Sequence, residues 1–420
     1  MKIDIEEKTV DMENTTAAQS CDDLTITYAG NPEEIEAIRT VWEQMQSQEA
    51  SPVPDADIDR FISVVKSLGA DVQPHIMLVR QGGRPTAMLV GRIEKRRLDL
   101  RFGYKVLAEK TLKCLTIVYG GILGGPDDTL CLLLLGELRK HLKSREYDMV
   151  YFNHLRTEEC FYRNIPNVFG FMTRGCIPKI EEHWRMSIPD SIDEFYAARS
   201  RGHRRNLRQA ISKFEKKYPN DNDFVKYTGV DDVPEFVEIA ADISTKTYQG
   251  ALGAGIANNR QTVSLESEAA KHGWFDGNVL YACEEPCAFQ LALRYGSVYY
   301  MVNIGYDPAV GSYKPGTVLF LRILESICKD PSINMLDFYF GDAEYKYRYG
   351  TEHWPEAIVH VFAPRLPLVL LNILRCSLMC INKCLGNIMK KAGSLNWVKR
   401  QWRNRLQSKN NDDDNKEQSK

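Results

Sequence analysis

One stretch, residues 298–346, places the strictest limits on what this chain can fold into. Residues 298–304 (VYYMVNI) are rich in aromatic and β-branched side chains, which predicts a strand. Apolar residues then recur at helical spacing, which predicts a helix over 317–329. The short apolar run 335–340 (MLDFYF) predicts a second strand. The order strand, loop, helix, strand indicates an α/β unit.

The loop inside this unit, residues 307–316, contains two prolines and two glycines and leads into Gly316–Thr317. Backbone N–H groups and the positive end of the helix dipole make such a helix start a site for an anion. The unit is therefore suited to a phosphorylated cofactor. The alternative is that the glycines serve the turn alone, since loops of this kind are common.

The two halves of the chain repeat one order of elements: helices, a hairpin, a strand, a glycine loop, a helix and a strand. This order predicts two copies of one α/β module. In the first half we predict a helix capped by Asn31, a helix over 58–68, strands over 75–79, 86–93, 115–119 and 149–152, and a helix over 129–143. In the second half we predict strands over 225–227, 280–282, 288–295 and 359–362, and helices over 233–247 and 263–271.

The predicted organisation has five parts. They are a disordered N-terminus (1–22), a first module (23–190), a second module (191–365) led by a basic helix (199–218), an amphipathic basic tail (366–408) and a disordered end (409–420). A net charge of −2 over 420 residues gives no whole-chain argument for nucleic-acid binding.

Several classes of protein are excluded by composition. The N-terminus is acidic and lacks the apolar core of a secretory signal, and nowhere do about 18 apolar residues run without interruption. The eleven cysteines show no paired metal-ligand spacing, so we predict no metal site. An odd number of cysteines, mostly within apolar runs, predicts a reducing, cytoplasmic location.

Two segments present basic surfaces. In the helix over 199–218, basic residues such as Arg204 and Arg208 lie opposite an apolar stripe. That face either binds phosphates of a cofactor, substrate or lipid, or is simply solvated. The apolar helix starting at Leu366 continues into a basic, tryptophan-containing segment. It suits a peripheral position on a membrane, docking on the domain, or a contact between two copies of the chain.

Three motifs within the second half carry a family resemblance: residues 305–308 (GYDP), 313–319 (YKPGTVL) and 337–346 (DFYFGDAEYK). With them the chain resembles the CelD/BioF-like branch of the GNAT acetyltransferase superfamily. This branch is linked to cellulose and exopolysaccharide biosynthesis and is related to the Fem-type aminoacyl transferases. The resemblance covers residues 190–365 well and the first half in outline. It implies tandem GNAT-like modules, each with a mixed, mostly antiparallel sheet flanked by helices.

The resemblance also implies that acetyl-CoA or another acyl-CoA lies between two splayed central strands, with its pyrophosphate on the loop before the helix. The loop departs from the superfamily pattern at Pro315, which removes one N–H donor. The residues implied in cofactor binding are Met301, Asn303, Ile304, Lys314, Gly316 and Thr317.

Acyl transfer to an amine requires a base, donors for the oxyanion and an acid for the leaving group. The resemblance implies Asp342 or Asp337 as the base and Tyr345 as the acid, with Tyr347 and Tyr349 as competitors. Asp342 is equally suited to capping the following helix. The predicted substrate-binding residues are Tyr306, Tyr313, Lys346, Arg204 and Arg208.

We therefore predict an acyl-CoA-dependent N-acyltransferase that acts on an amino group of a sugar or glycan precursor. It would work in the cytoplasm, on the inner face of the membrane if the tail binds there. A Fem-type transferase using aminoacyl-tRNA is a second hypothesis, favoured by the basic helix. A non-catalytic membrane-surface component of a polysaccharide assembly complex is a third, favoured by the altered loop and the apolar tail.

Overall fold

The computed structural model describes residues 24–103, 105–175, 179–219, 224–247, 255–341 and 343–391. The disorder predicted for 1–22 and 409–420 lies outside these residues, as does the tail beyond 391. Twelve strands and twelve α-helices are present in the described part of the chain.

The first half contains six strands and five helices. They are β1 (Leu24–Ala29), α1 (Pro32–Ala37), α2 (Arg39–Ser47), α3 (Ile58–Leu68), β2 (Gln73–Gln81), β3 (Arg84–Phe102), β4 (Lys105–Leu123), α4 (Asp128–Ser144), β5 (Met149–Arg156), α5 (Cys160–Val168) and β6 (Lys179–Ser187).

The second half contains the remaining elements. They are α6 (Ile192–Ala197), α7 (Arg201–Lys217), β7 (Phe224–Tyr227), α8 (Val233–Lys246), α9 (Arg260–Lys271), β8 (Phe275–Ala282), β9 (Glu285–Tyr295), β10 (Val298–Tyr306), α10 (Pro315–Ile327), β11 (Met335–Asp337), α11 (Glu344–Tyr349), β12 (Glu352–Phe362) and α12 (Leu366–Lys391).

The predicted repetition of element order is confirmed. Strands β1 to β6 of the first half correspond in order to β7 to β12 of the second, with helices inserted at the same places. The fold is therefore α/β, with two modules of the same element order, a mixed sheet flanked by helices, and an apolar C-terminal helix. The predicted helix over 58–68 matches α3, and Asn31 caps α1 by accepting from the Glu34 N–H.

The sheet joins the two modules by exchanging their last strands. Its strand order is β1-β2-β3-β4-β5-β12-β6-β11-β10-β9-β8-β7. Thus β12, at the end of the second module, pairs with β5 of the first, while β6 pairs with β11 of the second. Each module therefore completes its sheet with a strand from the other, and β6 and β12 pair with each other at the centre.

Among the described residues each module has one parallel strand pair, and in both modules its strands separate after a few residues. β10 pairs with β11 only from Val298 to Tyr300, although β10 continues to Tyr306. β4 pairs with β5 only from Cys114 to Ile117. The strands diverge beyond these points, so each module has a cleft at the middle of its half of the sheet.

β11 is shorter than predicted, ending at Asp337 instead of residue 340. The Asp337 carboxylate accepts a hydrogen bond from the Tyr339 N–H at 2.7 Å, and this local turn competes with strand pairing. Tyr339 and Gly341 both have positive φ, which no extended strand allows. The chain therefore turns out of the sheet at the cleft.

Candidate active site in the second module

A cavity of about 720 Å³ lies where β10 diverges from β11. Its wall is built from β10, the loop before α10, the first turns of α10, and α11. Seven of the predicted site residues line it: Met301, Ile304, Tyr306, Lys314, Gly316, Thr317 and Tyr345. Residues that are far apart in sequence are thus brought together around one opening.

The β10 wall carries an irregularity beside the cavity. The register between β10 and β9 shifts between Met301 and Asn303, so β10 bulges there. Asn303 pairs with Leu291 of β9 and does not line the cavity. Beyond Tyr300, β10 has no strand partner on the β11 side among the described residues. Main-chain groups on that edge are therefore placed to bind a ligand instead of a strand.

The start of α10 forms the rim of the cavity. Lys314 is in the left-handed conformation, and its carbonyl accepts from the N–H groups of Thr317 and Val318. Pro315 occupies the first helical position, where a missing N–H costs no helical hydrogen bond. The first turn contains no acidic residue, so the positive end of this helix is not neutralised.

These residues fit a phosphate-bearing cofactor. Lys314 supplies a cation, Thr317 a hydroxyl, and Gly316 lets the backbone be approached closely. A β-carbon at Gly316 would lie 3.5 Å from the ring of Tyr306, an ordinary contact. The corresponding helix of the first module, α4, is different because Asp127 caps it and Asp128 lies in its first turn. The two helix starts therefore have opposite preferences for an anion.

Tyr345 lies on α11 and faces the same cavity. Its ring packs edge-on against Phe338, with centroids 5.8 Å apart, and burial raises the pKa of its hydroxyl to about 12. The hydroxyl therefore keeps its proton at neutral pH. Tyr349 also lines the cavity but is buried and stacked on Phe320, whereas Tyr347 is exposed and does not line it. Tyr345 is thus the best-placed acid of the three.

Of the two predicted bases, the structure describes Asp337 only. Asp342 lies outside the described residues. Asp337 is fully buried and binds His183 Nε2 at 2.9 Å and Arg185 Nε at 2.6 Å. Burial alone would raise the pKa of Asp337, but these two cations lower it below its usual value. Asp337 therefore remains ionised as the centre of a buried ion network.

This network occupies the middle of the sheet, where the exchanged strands meet. His183 of β6 lies between two carboxylates, since its other ring nitrogen is 3.2 Å from Glu356 of β12. Glu356 also accepts hydrogen bonds from Tyr119 of β4 and from Trp354. Sequence reasoning missed this cluster because its members come from four strands with no shared motif. Only the strand exchange brings them together.

Part of the network lines a second, smaller cavity in the cleft of the first module. This cavity has a volume of about 220 Å³, and its wall includes Tyr119, Glu356, Glu49 and Glu159. Burial raises the pKa of the Glu159 carboxyl, and the neighbouring carboxylates contribute in the same direction. Three glutamates thus line the first cleft, together with Arg156, which opposes the rise in the pKa of Glu159.

The histidine in this network predicts a pH-dependent stability. Burial lowers the pKa of His183, but Asp337 and Glu356 outweigh it and raise the pKa to about 9. The raised pKa stabilises the fold fully below about pH 6.5, and this contribution is lost as pH rises through 9. We expect a loss on the order of 3 kcal/mol in the free energy of unfolding between pH 6.5 and 9.5.

Urea unfolding of the wild type and of His183→Gln at several pH values tests this expectation. In His183→Gln the free energy of unfolding should change much less with pH between 6.5 and 9.5. His353→Gln, at an exposed histidine, should keep the pH dependence of the wild type. An unchanged pH dependence in His183→Gln would show that another group titrates in this range.

The remaining predicted substrate residues lie elsewhere. Lys346 is buried, and its Nζ donates to the carbonyls of Tyr339 and Phe340, at 3.0 and 2.5 Å. Tyr313 packs against Tyr218, with ring centroids 5.3 Å apart. Neither is among the residues lining the second-module cavity. Lys346 instead holds the turn after β11.

The basic helix α7 has its own surface cavity. A volume of about 700 Å³ is lined by Arg201, Arg204, Arg205, Arg208, Gln209 and Ser212. The opposite face of α7 packs inward through Leu207, Ala210 and Phe214. The amphipathic helix predicted over 199–218 is thus present, and both predicted arginines lie on its outer face.

One grouping with metal-ligand geometry was not predicted. Ligand atoms of His75, His141 and Glu146 lie within 4.8 Å of one another. The three positions are on β2, on α4 and just after α4, so no local spacing signals them. Glu146 contacts His141 Nδ1 at 2.5 Å, and the Tyr28 hydroxyl lies 3.1 Å from His141 Nε2.

Part of the chain matches a known protein family. Residues 201–347 match the family described as "Acetyltransferase (GNAT) domain". That range runs from the start of α7 through α11, and so includes the entire second-module cavity. The chain therefore carries a GNAT-type acetyltransferase domain and is an N-acyltransferase by class. The match does not distinguish the CelD/BioF-like branch from other branches. No curated protein sequence matches the chain.

Solved structures resemble the chain in fold. FemX aligns with a TM-score of 0.49 at 10% identity, covering 74% of this chain and 92% of that one. L-PGS from Bacillus licheniformis gives 0.45 at 14%, covering 82% and 96%. A tandem GNAT protein from the clavulanic acid biosynthesis pathway gives 0.47 at 10%, covering 81% and 99%.

Proposed function

We propose that this protein transfers an acyl group from acetyl-CoA or another acyl-CoA to an amine, using the cleft of the second module. One observation carries the proposal. The cavity at the divergence of β10 and β11 joins a bulged strand edge to a helix start that has Lys314 and no acidic residue. Bound acyl-CoA supplies an activated thioester. The acceptor amine belongs to a sugar or glycan precursor.

Each wall of the cleft has a role in this proposal. Lys314, Gly316 and Thr317 hold phosphate groups at the rim, and backbone N–H groups within residues 301–304 polarise the acyl carbonyl. Tyr345 holds a proton for the departing group, because its raised pKa keeps it protonated. Asp342 is the proposed base. Tyr306 covers the loop glycines and contacts the acceptor or the cofactor.

Replacing Tyr345 by phenylalanine tests the acid. Removing a positioned acid should lower kcat by about 10²-fold. Binding of CoA should be unchanged, because the ring and its packing on Phe338 remain. Steady-state kinetics with an amine acceptor and calorimetric titration with CoA measure the two effects separately.

Tyr347→Phe is the matched control, since Tyr347 lies on the same helix but is exposed. It should keep wild-type kcat. If Tyr345→Phe also keeps wild-type kcat, another group protonates the leaving group.

A Fem-type reaction with aminoacyl-tRNA is a second candidate, favoured by the arginine-lined cavity on α7. Under that alternative the purified protein should bind tRNA with a steep salt dependence. Arg204→Ala and Arg208→Ala should weaken tRNA binding and leave CoA binding unchanged.

We place the reaction in the cytoplasm, on the inner face of the membrane. The apolar tail helix supports this placement.

A further inference from the structure

The C-terminal helix α12 docks on the domain through one face and leaves large apolar side chains exposed on the other. Its inward face is mixed: Leu368 and Leu371 pack in the hydrophobic core, and Asn372, only 1% exposed, donates to the carbonyls of Met172 and Arg174, at 2.9 and 3.0 Å. Further along, Asn382 accepts from the Gly103 N–H at 2.7 Å and donates to the Arg101 carbonyl at 2.9 Å. The outward face holds a second set of large apolar side chains, and these are exposed.

The outward stripe is continuous along the helix. Its exposed members recur at helical spacing: Leu366, Leu370, Ile373, Leu374, Ile381, Leu385 and Ile388. Leu366 is 72% exposed. Leaving this much apolar surface in water is costly, and contiguous patches of this kind mark an interaction surface.

Two other exposed apolar sites lie beside the helix. At one end, Asn372 is hydrogen-bonded to the loop that carries Phe171 (70% exposed) and Met172. At the other end, Asn382 holds the tip of the β3–β4 hairpin, which carries Phe102 and Leu107 (53% exposed). We call the outward stripe, the 171–172 loop and the hairpin tip together the apolar platform.

The sequence of the C-terminal segment indicates the partner of the platform. Residues 366–405 contain eight lysines and arginines and no aspartate or glutamate, with Trp397 and Trp402 in the basic part. Basic residues beside an apolar helix face, together with tryptophan, suit the interface of a bilayer that contains anionic lipids. A second copy of this chain would bring the same positive charge against itself.

The docking contacts also decide the orientation of α12. By length and composition, Leu366–Ile388 is long and apolar enough to cross a membrane, with a mean hydropathy of 1.6, contrary to our expectation that no segment would qualify. The expectation considered uninterrupted runs only. However, α12 contacts the domain from Leu368, which is buried, to Asn382, which is hydrogen-bonded to Arg101. This docked part is about 21 Å of helix at 1.5 Å per residue. A helix fixed along its side cannot cross the ~30 Å hydrocarbon core without drawing the domain in.

We propose that α12 lies in the plane of an anionic membrane surface, with the apolar platform inserted into the interface. This inference deepens the membrane placement in the proposed function and does not depend on the acyl-transfer chemistry. It assigns a role to the long β3–β4 hairpin, which reaches the helix at Gly103.

Co-sedimentation of the full chain with vesicles tests the proposal. We expect binding to phosphatidylcholine vesicles containing phosphatidylglycerol and much weaker binding to pure phosphatidylcholine. The hairpin-tip variant Phe102→Ser/Leu107→Ser should weaken binding about tenfold or more, because two exposed apolar side chains no longer enter the interface. Leu374→Glu/Ile381→Glu should weaken it further. Leu132→Ser, at an apolar side chain on α4 that is 41% exposed, is the control and should bind like the wild type.

Three results would overturn the proposal. One is wild-type binding by both platform variants. Another is retention of the protein in membranes after alkaline carbonate extraction, which would indicate a spanning helix. The third is absence of vesicle binding together with a concentration-dependent dimer in sedimentation velocity, which would assign the platform to a second copy. A thermal shift with CoA that survives in the platform variants would leave the proposed function standing in each case.

Discussion

Replacing Gly316 by aspartate should abolish most of the affinity for CoA while preserving the fold. The new carboxylate would lie at the second position of α10, in a first turn that contains no acidic residue. Repulsion of a phosphate at about 4 Å costs on the order of 3 kcal/mol, about a hundredfold in Kd. Calorimetric titration of the variant with CoA measures this loss directly.

The fold should tolerate this change for two reasons. A β-carbon at Gly316 makes an ordinary 3.5 Å contact with Tyr306, and an acidic residue at a helix N-terminus interacts favourably with the dipole. Gly136→Asp on α4 is the matched control, since its β-carbon meets nothing within 4 Å and it lies outside the cleft. Equal CoA affinity in Gly316→Asp and the wild type would exclude this helix start as the phosphate site.

Replacing Asp337 by asparagine should produce the largest loss of stability. The side chain keeps its size, but His183 and Arg185 lose the buried carboxylate that lies between them. Removing one partner of a buried ion network costs about 3–5 kcal/mol. Chemical denaturation of the variant at pH 7 measures this effect, and CoA binding by the protein that remains folded should be close to that of the wild type.

Asp242→Asn provides the comparison, because it removes an exposed ion pair with Lys246 on α8. Its effect should stay within about 0.5 kcal/mol. Unchanged stability in Asp337→Asn, combined with a large loss of kcat, would instead identify Asp337 as the base in the reaction.

Local patterns were sufficient to predict much of this fold. The apolar spacing that predicted a helix over 317–329 corresponds to α10, which buries Val318, Leu319 and Leu324 completely. The glycine loop, the preceding strand and the start of that helix do form one cleft with Tyr345. These features depend on short-range periodicity and on turn residues, which a single sequence displays.

Features that depend on long-range pairing were not predictable. Nothing near residues 179–187 indicates that β6 leaves its own module to pair with β11. Only that exchange places His183 next to Asp337. From the sequence alone, Asp337 is a carboxylate near a strand end with no predicted partner. Lys346 was predicted to face the substrate, but its ammonium group donates instead to a carbonyl in the turn after β11.

The most direct test of the account is thermal unfolding of the full chain with acetyl-CoA, free CoA and longer acyl-CoAs. A ligand that binds only the folded state, present at about 100 times its Kd, adds about 2.7 kcal/mol, enough to raise Tm visibly. We predict such a rise with at least one acyl-CoA, and its loss in Gly316→Asp but not in Gly136→Asp. No rise with any CoA would contradict acyl-CoA binding in the second-module cleft.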